Sequence, residues 1–248
     1  MQDIAAIGLK LKEVLALEYF PVGMYYANEK PDASLSFNEK GKGCIMPLLF
    51  LSAKGKTVSV DENTTGWACS AYYLGYSDWI FDGIEYFLSD GLTSRECEKF
   101  VDSPEKAKQY VESMSIAINR SQYTIFKPLV DFKDGEKPEV VTFFLNADQL
   151  SALTYLVYFN APLDDNRIIT RFLSACGSMV TEPLKYQQMK EKKAVIGLND
   201  ISARKRLPKD LMTFSLTYSL FEEISENIDK SFLTTSQWGK MVERIIKD

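Results

Sequence analysis

The run Val140–Leu145 is apolar on both of the faces that a β-strand presents. Such a strand is stable only when both faces are covered, so it predicts a central position in a sheet with helices on either side. Asn146 and Gln149 follow at the spacing of a capping box, which predicts a helix over 147–159. This strand-and-helix pair indicates that the chain mixes the two kinds of element.

Strand-like and helix-like segments alternate along the rest of the chain. Strands rich in β-branched and aromatic residues are predicted at 22–27, 57–61, 123–130, 194–198 and 211–218. Helices are predicted at 4–15, 46–53, 67–74, 103–117, 221–228 and 236–247, and a further helix is expected to contain 168–180. Thr and Ser occupy one face of the strand 211–218, so that face is expected to be wet or shallowly covered. The sequence therefore predicts an α+β fold (mixed α/β), with a central mixed sheet flanked by helices.

No linker of biased composition interrupts the chain, so we predict a single α/β domain over 1–248; a two-lobed division would fall at 1–120 and 121–248. The strand 21–28 resembles 139–146, and each ends in Asn. Each half also carries an Ala-Cys-small tripeptide, Ala68-Cys69-Ser70 and Ala175-Cys176-Gly177. This echo indicates a weak internal duplication, although short hydrophobic matches are common by chance.

The charge balance argues against two classes of partner. The chain has 29 basic and 34 acidic residues, a net charge of −5, which disfavours nucleic acid and anionic lipid surfaces. Residues 1–19 lack a secretory signal, and the longest apolar run, near 44–53, is about half the ~20 residues of a membrane helix. We expect a cytoplasmic protein with no membrane partner, in which the cysteines are free, metal-bound or redox-active.

Histidine is absent from all 248 residues. Without imidazole, the chain cannot build a Ser-His-Asp or Cys-His nucleophile, and it offers no histidine ligand to zinc, haem or a Rieske cluster. Any bound metal must be held by thiolate, carboxylate, carbonyl or water. Any general base must be Asp, Glu, Lys, Tyr or Cys, and whether the protein is an enzyme stays open.

Three of the four cysteines are candidates for a site. Cys44 and Cys69 fall at predicted helix starts, where the partial positive charge of the helix is expected to favour the thiolate. Cys176 precedes Gly177, where backbone can approach a bulky group. Cys97 lies in an acidic stretch and is left out. The alternative for each is core packing, since free cysteine is among the most buried residue types.

Aromatic and polar residues suggest a second kind of site. A pocket for a planar small molecule is predicted from Tyr25, Tyr26, Trp67, Tyr72, Asn146 and Arg204. The alternative for the aromatics is helix core. The densest basic stretch is Arg204-Lys205-Arg206 with Lys209, which is either a solvated loop or a clamp for carboxylate or phosphate.

Several segments, taken in order, resemble one family. They are 15–26 with its Pro21-Val22-Gly23, 43–46, 69–75, 127–129, 140–150, Cys176, and 196–198 followed by Arg204. Together they resemble the family called domain of unknown function 169, common in archaea and anaerobic bacteria, for which no activity is established. The resemblance implies cysteines at Cys44, Cys69 and Cys176, and a fourth in a Gly-Cys-x-Gly-x-Arg stretch. The matching stretch, 197–204, has no cysteine, so the resemblance implies three thiolates and one open position.

Two functions are therefore predicted. The first is a cytosolic metalloprotein in which Cys44, Cys69 and Cys176 bind an iron–sulfur cluster or zinc. The second is a non-catalytic protein that binds or senses a small molecule in the aromatic pocket. A homodimer, formed through the apolar side of a helix at 238–246, is a further expectation from the frequency of symmetric dimers.

Overall fold

A single mixed sheet organises the chain. The computed structural model describes residues 3–36, 44–65, 68–91, 97–114, 119, 121–164, 166–172 and 174–247. The strands in this part are β1 (Val22–Ala27), β2 (Val58–Val60), β3 (Tyr123–Pro128), β4 (Val140–Leu145), β5 (Ile168–Thr170), β6 (Ala194–Gly197) and β7 (Met212–Thr217). They are hydrogen-bonded in the order β2-β3-β1-β4-β7-β6-β5. β5 and β6 are parallel and the other described pairs are antiparallel, so the predicted mixed sheet is confirmed.

Helices pack on both faces of this sheet. They are α1 (Ile4–Val14), α2 (Met46–Ala53), α3 (Ala68–Leu74), α4 (Ile84–Leu88), α5 (Pro104–Glu112), α6 (Ala147–Tyr158), α7 (Glu182–Gln188), α8 (Ile201–Arg204), α9 (Tyr218–Asn227) and α10 (Ser236–Lys247). A π-helix, Gly177–Thr181, leads into α7. Apolar residues of α1, α6, α9 and α10 form the core on one face, and those of α2, α3, α7 and α8 form it on the other. We call the second the thiol face, because Cys44, Cys69 and Cys176 pack there.

The central strand is the one that the sequence predicts to be central. β4 pairs with β1 on one side and β7 on the other. All six of its residues are buried. Val140 and Phe144 belong to the core of the thiol face, while Val141 and Phe143 belong to the opposite core. The α+β prediction is therefore confirmed at the strand that carried it.

The strand order repeats on either side of the β1–β4 pair. In the first half, β1 is innermost and β3 lies between β1 and β2. In the second half, β4 is innermost and β7 lies between β4 and β6, in the same chain order, with the extra strand β5 outside β6. β1 and β4 are antiparallel, as strands related by a two-fold axis would be. The repeat in topology accompanies the sequence echo between β1 and β4. Because β3 pairs with both β1 and β2, strand pairing also crosses the division at 120 and 121.

The prediction of a helix over 168–180 is wrong for its first half and correct from residue 175 onward. Ile168–Thr170 forms the edge strand β5, whose β-branched residues favour a strand and which pairs with β6. The helical conformation begins at Ala175 and becomes at Gly177 a π-helix, whose turns are wider than those of an α-helix. The change from strand to π-helix places Cys176 at the start of that helix, on the thiol face.

The expectation of a wet face on β7 is also wrong. The Thr and Ser face of β7 is dry: Thr213, Ser215 and Thr217 are fully buried, and the Ser215 hydroxyl lies 2.9 Å from that of Thr142. The apolar side of α10 packs against the protein's own core, with Trp238 buried and its indole N–H donating to the carbonyl of Val14 at 2.7 Å. Most of that side is therefore covered within the chain, although Ile246 is 72% exposed, and the homodimer stays a prediction. No helix in the described ranges is both long and apolar enough to span a membrane.

Candidate functional site

Three cysteines from separate parts of the sequence meet on the thiol face. Cys44 lies two residues before α2, Cys69 lies in the first turn of α3, and Cys176 is the residue before the π-helix. The backbone of Ile45, next to Cys44, lies close enough to the sulfur of Cys176 to lower the pKa of that thiol slightly. The thiol of Cys176 is within electrostatic range of Cys44 and Cys69, and Cys69 is within range of Cys44. The structure thus brings together the three cysteines that the sequence selects.

The fourth cysteine lies elsewhere. Cys97 packs against Gly91, where a Cβ atom would stand 2.7 Å from the Cys97 sulfur. Cys97 is half-buried, and it is not among the cysteines that pack in the core of the thiol face. Among the four, Cys97 is therefore the cysteine that can serve as a matched control.

Burial, rather than the helix starts, controls the protonation of these thiols. Burial raises the pKa of Cys44 and raises that of Cys69 to about 11, and backbone hydrogen bonds from Met46 and Ser70 lower them only in part. The pKa of Cys176 is raised well above its usual range by burial, and the charges of the other two cysteines raise it further. The expectation that helix starts make Cys44 and Cys69 thiolates is therefore wrong for the metal-free protein, because desolvation outweighs the helix dipole.

Two contacts fix the segment that carries Cys176. Gly177 lies so close to Tyr73 of α3 that an added Cβ would stand 2.9 Å from the ring carbon Cε1. The hydroxyl of Thr181, in the π-helix, donates to the carbonyl oxygen of Tyr73 at 3.0 Å. The π-helix and α3 are therefore held together at the positions next to Cys176 and one turn after Cys69. π-Helical turns are rare and occur frequently at functional sites.

Asp200 ties a third element to the same place. Its Oδ1 atom caps α8 by accepting from the backbone N–H groups of Ser202 (3.0 Å) and Ala203 (3.2 Å). Its Oδ2 atom accepts from the backbone N–H of Ala175 at 3.1 Å, immediately before Cys176. Both oxygens are thus committed to backbone groups, so Asp200 positions the site rather than offering a free ligand. Asp200 is not among the residues predicted from the sequence; its place before a short helix is the signal of an N-cap.

A small cavity adjoins the cysteine cluster. It has a volume of about 10 Å³, room for about one water molecule, and hydroxyl groups and an ion pair surround it. The ion pair joins Arg171 to the buried carboxylate of Glu182 at 2.7 Å. Tyr73, Tyr110 and Gly177 complete the wall next to the cysteines. None of these polar residues stood out in the sequence, because the fold alone brings them together.

The three cysteine sulfurs are suitable metal ligands by their chemistry, but the distances between them do not fit a metal ion. Three thiols with backbone N–H groups directed at them are the ligands that zinc and iron–sulfur clusters take from proteins. In the described part of the chain, however, no three Cys, Asp or Glu side chains lie in a geometry that would hold a metal ion. A Zn–S bond of about 2.3 Å requires sulfurs about 4 Å apart, so the thiols would have to move together. Clusters accept more widely separated cysteines and need a smaller movement.

The residues predicted to line an aromatic pocket do not share one. Tyr25 and Tyr26 are neighbours in β1 and therefore point to opposite faces of the sheet. Tyr25 packs against Phe132 in the core opposite the thiol face, at 5.7 Å between ring centroids. Tyr26 packs on the thiol face, and its hydroxyl donates to the carbonyl of Leu74 at 3.4 Å. The two tyrosines cannot stack the same planar ligand.

The other pocket candidates have structural contacts. Tyr72 is buried and packs edge-on against Tyr73 at 5.3 Å. Asn146 and Gln149 form the predicted capping box at the start of α6. The Arg204 guanidinium donates to three backbone carbonyl groups, those of Leu198, Leu211 and Lys209. Trp67 lies outside the described residues.

These observations define an α+β protein in which one buried and two half-buried cysteines pack in the same core on one face of the sheet. The chain belongs to the family domain of unknown function 169, described as uncharacterised ArCR, whose model matches residues 10–227. The resemblance noted from the sequence is thus confirmed. No curated protein and no solved structure matches the chain.

Proposed function

We propose that the protein binds a metal ion or an iron–sulfur cluster through Cys44, Cys69 and Cys176. The observation that carries the proposal is the meeting of three cysteines that are far apart in sequence. Core packing requires burial, but it does not require that three of four cysteines be neighbours. A cytoplasmic location, where thiols remain reduced, belongs to the same proposal.

Each of the three thiols must lose its proton when it becomes a ligand. Burial disfavours the charged thiolates, and only a positively charged group can offset three of them in this core. Metal affinity should therefore rise steeply with pH. The three surrounding elements, α2, α3 and the π-helix, would orient the sulfurs through Met46, Ser70 and Ile45.

Three protein ligands leave one coordination position for an exogenous group. Metal sites with an open position supply Lewis-acid or redox chemistry when loaded. The remaining role of the chain is to keep water and oxygen away from the sulfurs. Cys176 is buried, whereas Cys44 and Cys69 are half-buried, so an exogenous group would approach from the side of Cys44 and Cys69.

Metal titration under anaerobic conditions tests this proposal. We expect the reduced protein to bind about one Co²⁺ per chain with an intense sulfur-to-cobalt charge-transfer band, or to assemble a coloured cluster from iron and sulfide. Cys44→Ser, Cys69→Ser and Cys176→Ser should each abolish the band or weaken binding at least about tenfold. Cys97→Ser is the matched control and should bind as the wild type does.

One result would contradict the proposal. If Cys69→Ala only lowers the melting temperature, as a cavity in a core does, and the wild type takes up neither Co²⁺ nor iron, the cysteines are packing residues. Circular dichroism before and after titration separates loss of ligands from loss of fold.

A further inference from the structure

The sheet of the described residues ends in β2 on one side and β5 on the other, and only the β2 edge is covered. Leu35 pairs with that edge: its N–H donates to the carbonyl of Thr57 at 2.8 Å, and its carbonyl accepts from the N–H of Ser59 at 2.9 Å. β5 pairs with β6, and no other described strand or bridge lies beside it. An uncovered edge presents backbone N–H and C=O groups that can pair with another chain.

The contact with β6 fixes which backbone groups of β5 face the open edge. The carbonyl of Arg167 accepts from the N–H of Ala194 at 2.8 Å, so this carbonyl faces β6. In a trans peptide the C=O and the N–H point in opposite directions, so the N–H of Ile168 faces away from β6. Successive residues of a strand alternate, which also directs the N–H of Thr170 to the open edge. No acceptor in the described ranges bonds to either N–H.

The sequence of β5 favours pairing with another strand. All three of its residues are β-branched, and this residue class fits a sheet well. Exposed edges are commonly protected by lysine or proline, and β5 contains neither. Its short length is the remaining protection, because three residues form few hydrogen bonds. We therefore expect pairing that is reversible and weak rather than permanent.

The charges that flank β5 are compensated within the chain. Arg167, before the strand, is paired with Glu223 at 2.8 Å, and Arg171, after the strand, is paired with Glu182 at 2.7 Å. Two identical edges can therefore approach each other without bringing uncompensated like charges together. Phe172, which follows Arg171, is 49% exposed and adds apolar surface next to the end of β5. The edge is thus suited to meet a second copy of itself.

We propose that β5 pairs antiparallel with β5 of a second copy of the chain, which joins the two sheets of a symmetric dimer. A two-fold axis at Ile169 places Ile168 of each copy opposite the partner's Thr170, so that both outward N–H groups of each copy meet outward carbonyl groups. Because the β2 edge is covered, the assembly closes at two copies. This surface differs from the apolar side of α10, and the dimer does not depend on a bound metal.

Sedimentation equilibrium of the full chain, from about 1 to about 500 µM, tests the dimer in the micromolar range of affinity expected for a small interface. Thr170→Pro removes an outward N–H and keeps the bonds of Ile169 to β6, and it should raise the dissociation constant at least about tenfold, because each dimer loses two hydrogen bonds. Thr170→Val is the matched control. It loses the same hydroxyl, which accepts from Asn199 at 3.0 Å, but keeps the N–H, so it should dimerise as the wild type does.

Amide hydrogen exchange of the wild type tests the same surface without a substitution. The N–H groups of Ile168 and Thr170 should exchange more slowly as the protein concentration rises through the dissociation constant. Ile246→Lys changes an exposed residue of α10 and should leave the dimer intact. A wild type that is monomeric throughout the concentration range overturns the proposal. So does a dimer that Thr170→Pro leaves unchanged while circular dichroism shows a folded variant, or a dimer that Ile246→Lys abolishes.

Discussion

Gly177 lies in van der Waals contact with the buried ring of Tyr73, so that a Cβ at position 177 would stand 2.9 Å from Tyr73 Cε1 and 3.3 Å from the Ser174 hydroxyl oxygen. This contact joins the segment that carries Cys176 to the helix that carries Cys69. The distance between the two sulfurs therefore depends on the absence of a side chain at 177. The φ angle of Gly177 is not in the left-handed region, so the requirement for glycine is one of space.

We predict that Gly177→Ala destabilises the protein by about 1–3 kcal/mol and weakens Co²⁺ binding about tenfold, because the added methyl group pushes the π-helix away from α3. Urea unfolding and Co²⁺ titration measure the two effects. Gly239→Ala is the matched control, since a Cβ at 239 meets no atom within 4 Å and alanine favours the α10 helix. Equal Co²⁺ affinity in Gly177→Ala and wild type would show that this contact does not position the cysteines.

We predict that Asp200→Ala removes the cap of α8 and also frees the backbone before Cys176, so that it both destabilises the protein by about 1–2 kcal/mol and weakens metal binding. Asp3→Ala removes a comparable cap from α1, where Asp3 accepts from the N–H of Ala6 at 3.0 Å, far from the cysteines. Its loss of stability should be similar, with unchanged Co²⁺ affinity. If Asp200→Ala and Asp3→Ala bind Co²⁺ with equal affinity, Asp200 does not position the cysteines.

We predict that the stability of the metal-free protein falls between pH 9 and 11 because of Cys69. Burial raises the pKa of this thiol from 9.0 in the unfolded chain to about 11, so in that interval the unfolded state releases a proton that the folded state keeps. The stability that the protonated Cys69 contributes is therefore fully present below pH 9, and about 1–3 kcal/mol of it is lost as the pH rises to the pKa of the folded state. Urea unfolding at several pH values under reducing conditions measures the slope.

The slope should be smaller in Cys69→Ala, which has no thiol to titrate. Val58→Ala is the control for the cavity that such a substitution leaves, because Val58 is fully buried on the same face and does not titrate. It should lose stability at every pH while keeping the wild-type slope. An unchanged slope in Cys69→Ala would assign the alkaline loss to other groups.

The sequence predicts the central elements well because local signals and burial agree there. β4 is apolar on both faces, and its capping box at Asn146 and Gln149 forms as predicted. The cysteines show the limit: residue types and the family resemblance select Cys44, Cys69 and Cys176, but no spacing in the sequence shows that they meet. Their meeting depends on the sheet order, which places α2, α3 and the π-helix on one face.

The predictions from the sequence are wrong where contacts between residues distant in sequence determine burial. Thr213, Ser215 and Thr217 suggest a wet face by their polarity, yet they are buried because α7 and the π-helix cover that side of β7 and Thr142 supplies a hydroxyl partner. The thiol pKa values are misjudged in the same way. A helix start is visible in the sequence, whereas the desolvation that outweighs it depends on the packing of distant residues.

The buried ion pair between Arg167 and Glu223 leads to the last prediction. Both terminal nitrogens of Arg167 bond to the Glu223 carboxylate, at 2.8 and 3.0 Å, and the Arg167 side chain is only 4% exposed. Glu223→Gln leaves that guanidinium with only the exposed carboxylate of Asp164, 3.9 Å away, so we expect a loss of about 3 kcal/mol in the free energy of unfolding at pH 7, measured with urea. Lys192, which is half-exposed and bonds to the same carboxylate, is the control, and Lys192→Gln should cost less than about 1 kcal/mol.

The same pair gives a pH dependence of known sign. The hydrogen bond from Arg167 lowers the pKa of Glu223 in the folded protein. The ionised Glu223 therefore contributes fully to stability above pH 4.5, the usual pKa of glutamate, and this contribution is lost as the pH falls through the lower pKa of the folded state. Glu223→Gln should therefore make the free energy of unfolding less dependent on pH in the acid range, and should also lower it at pH 7. If Arg167→Met combined with Glu223→Gln is no more stable than Glu223→Gln alone, the cost comes from lost packing and not from an unpaired buried charge.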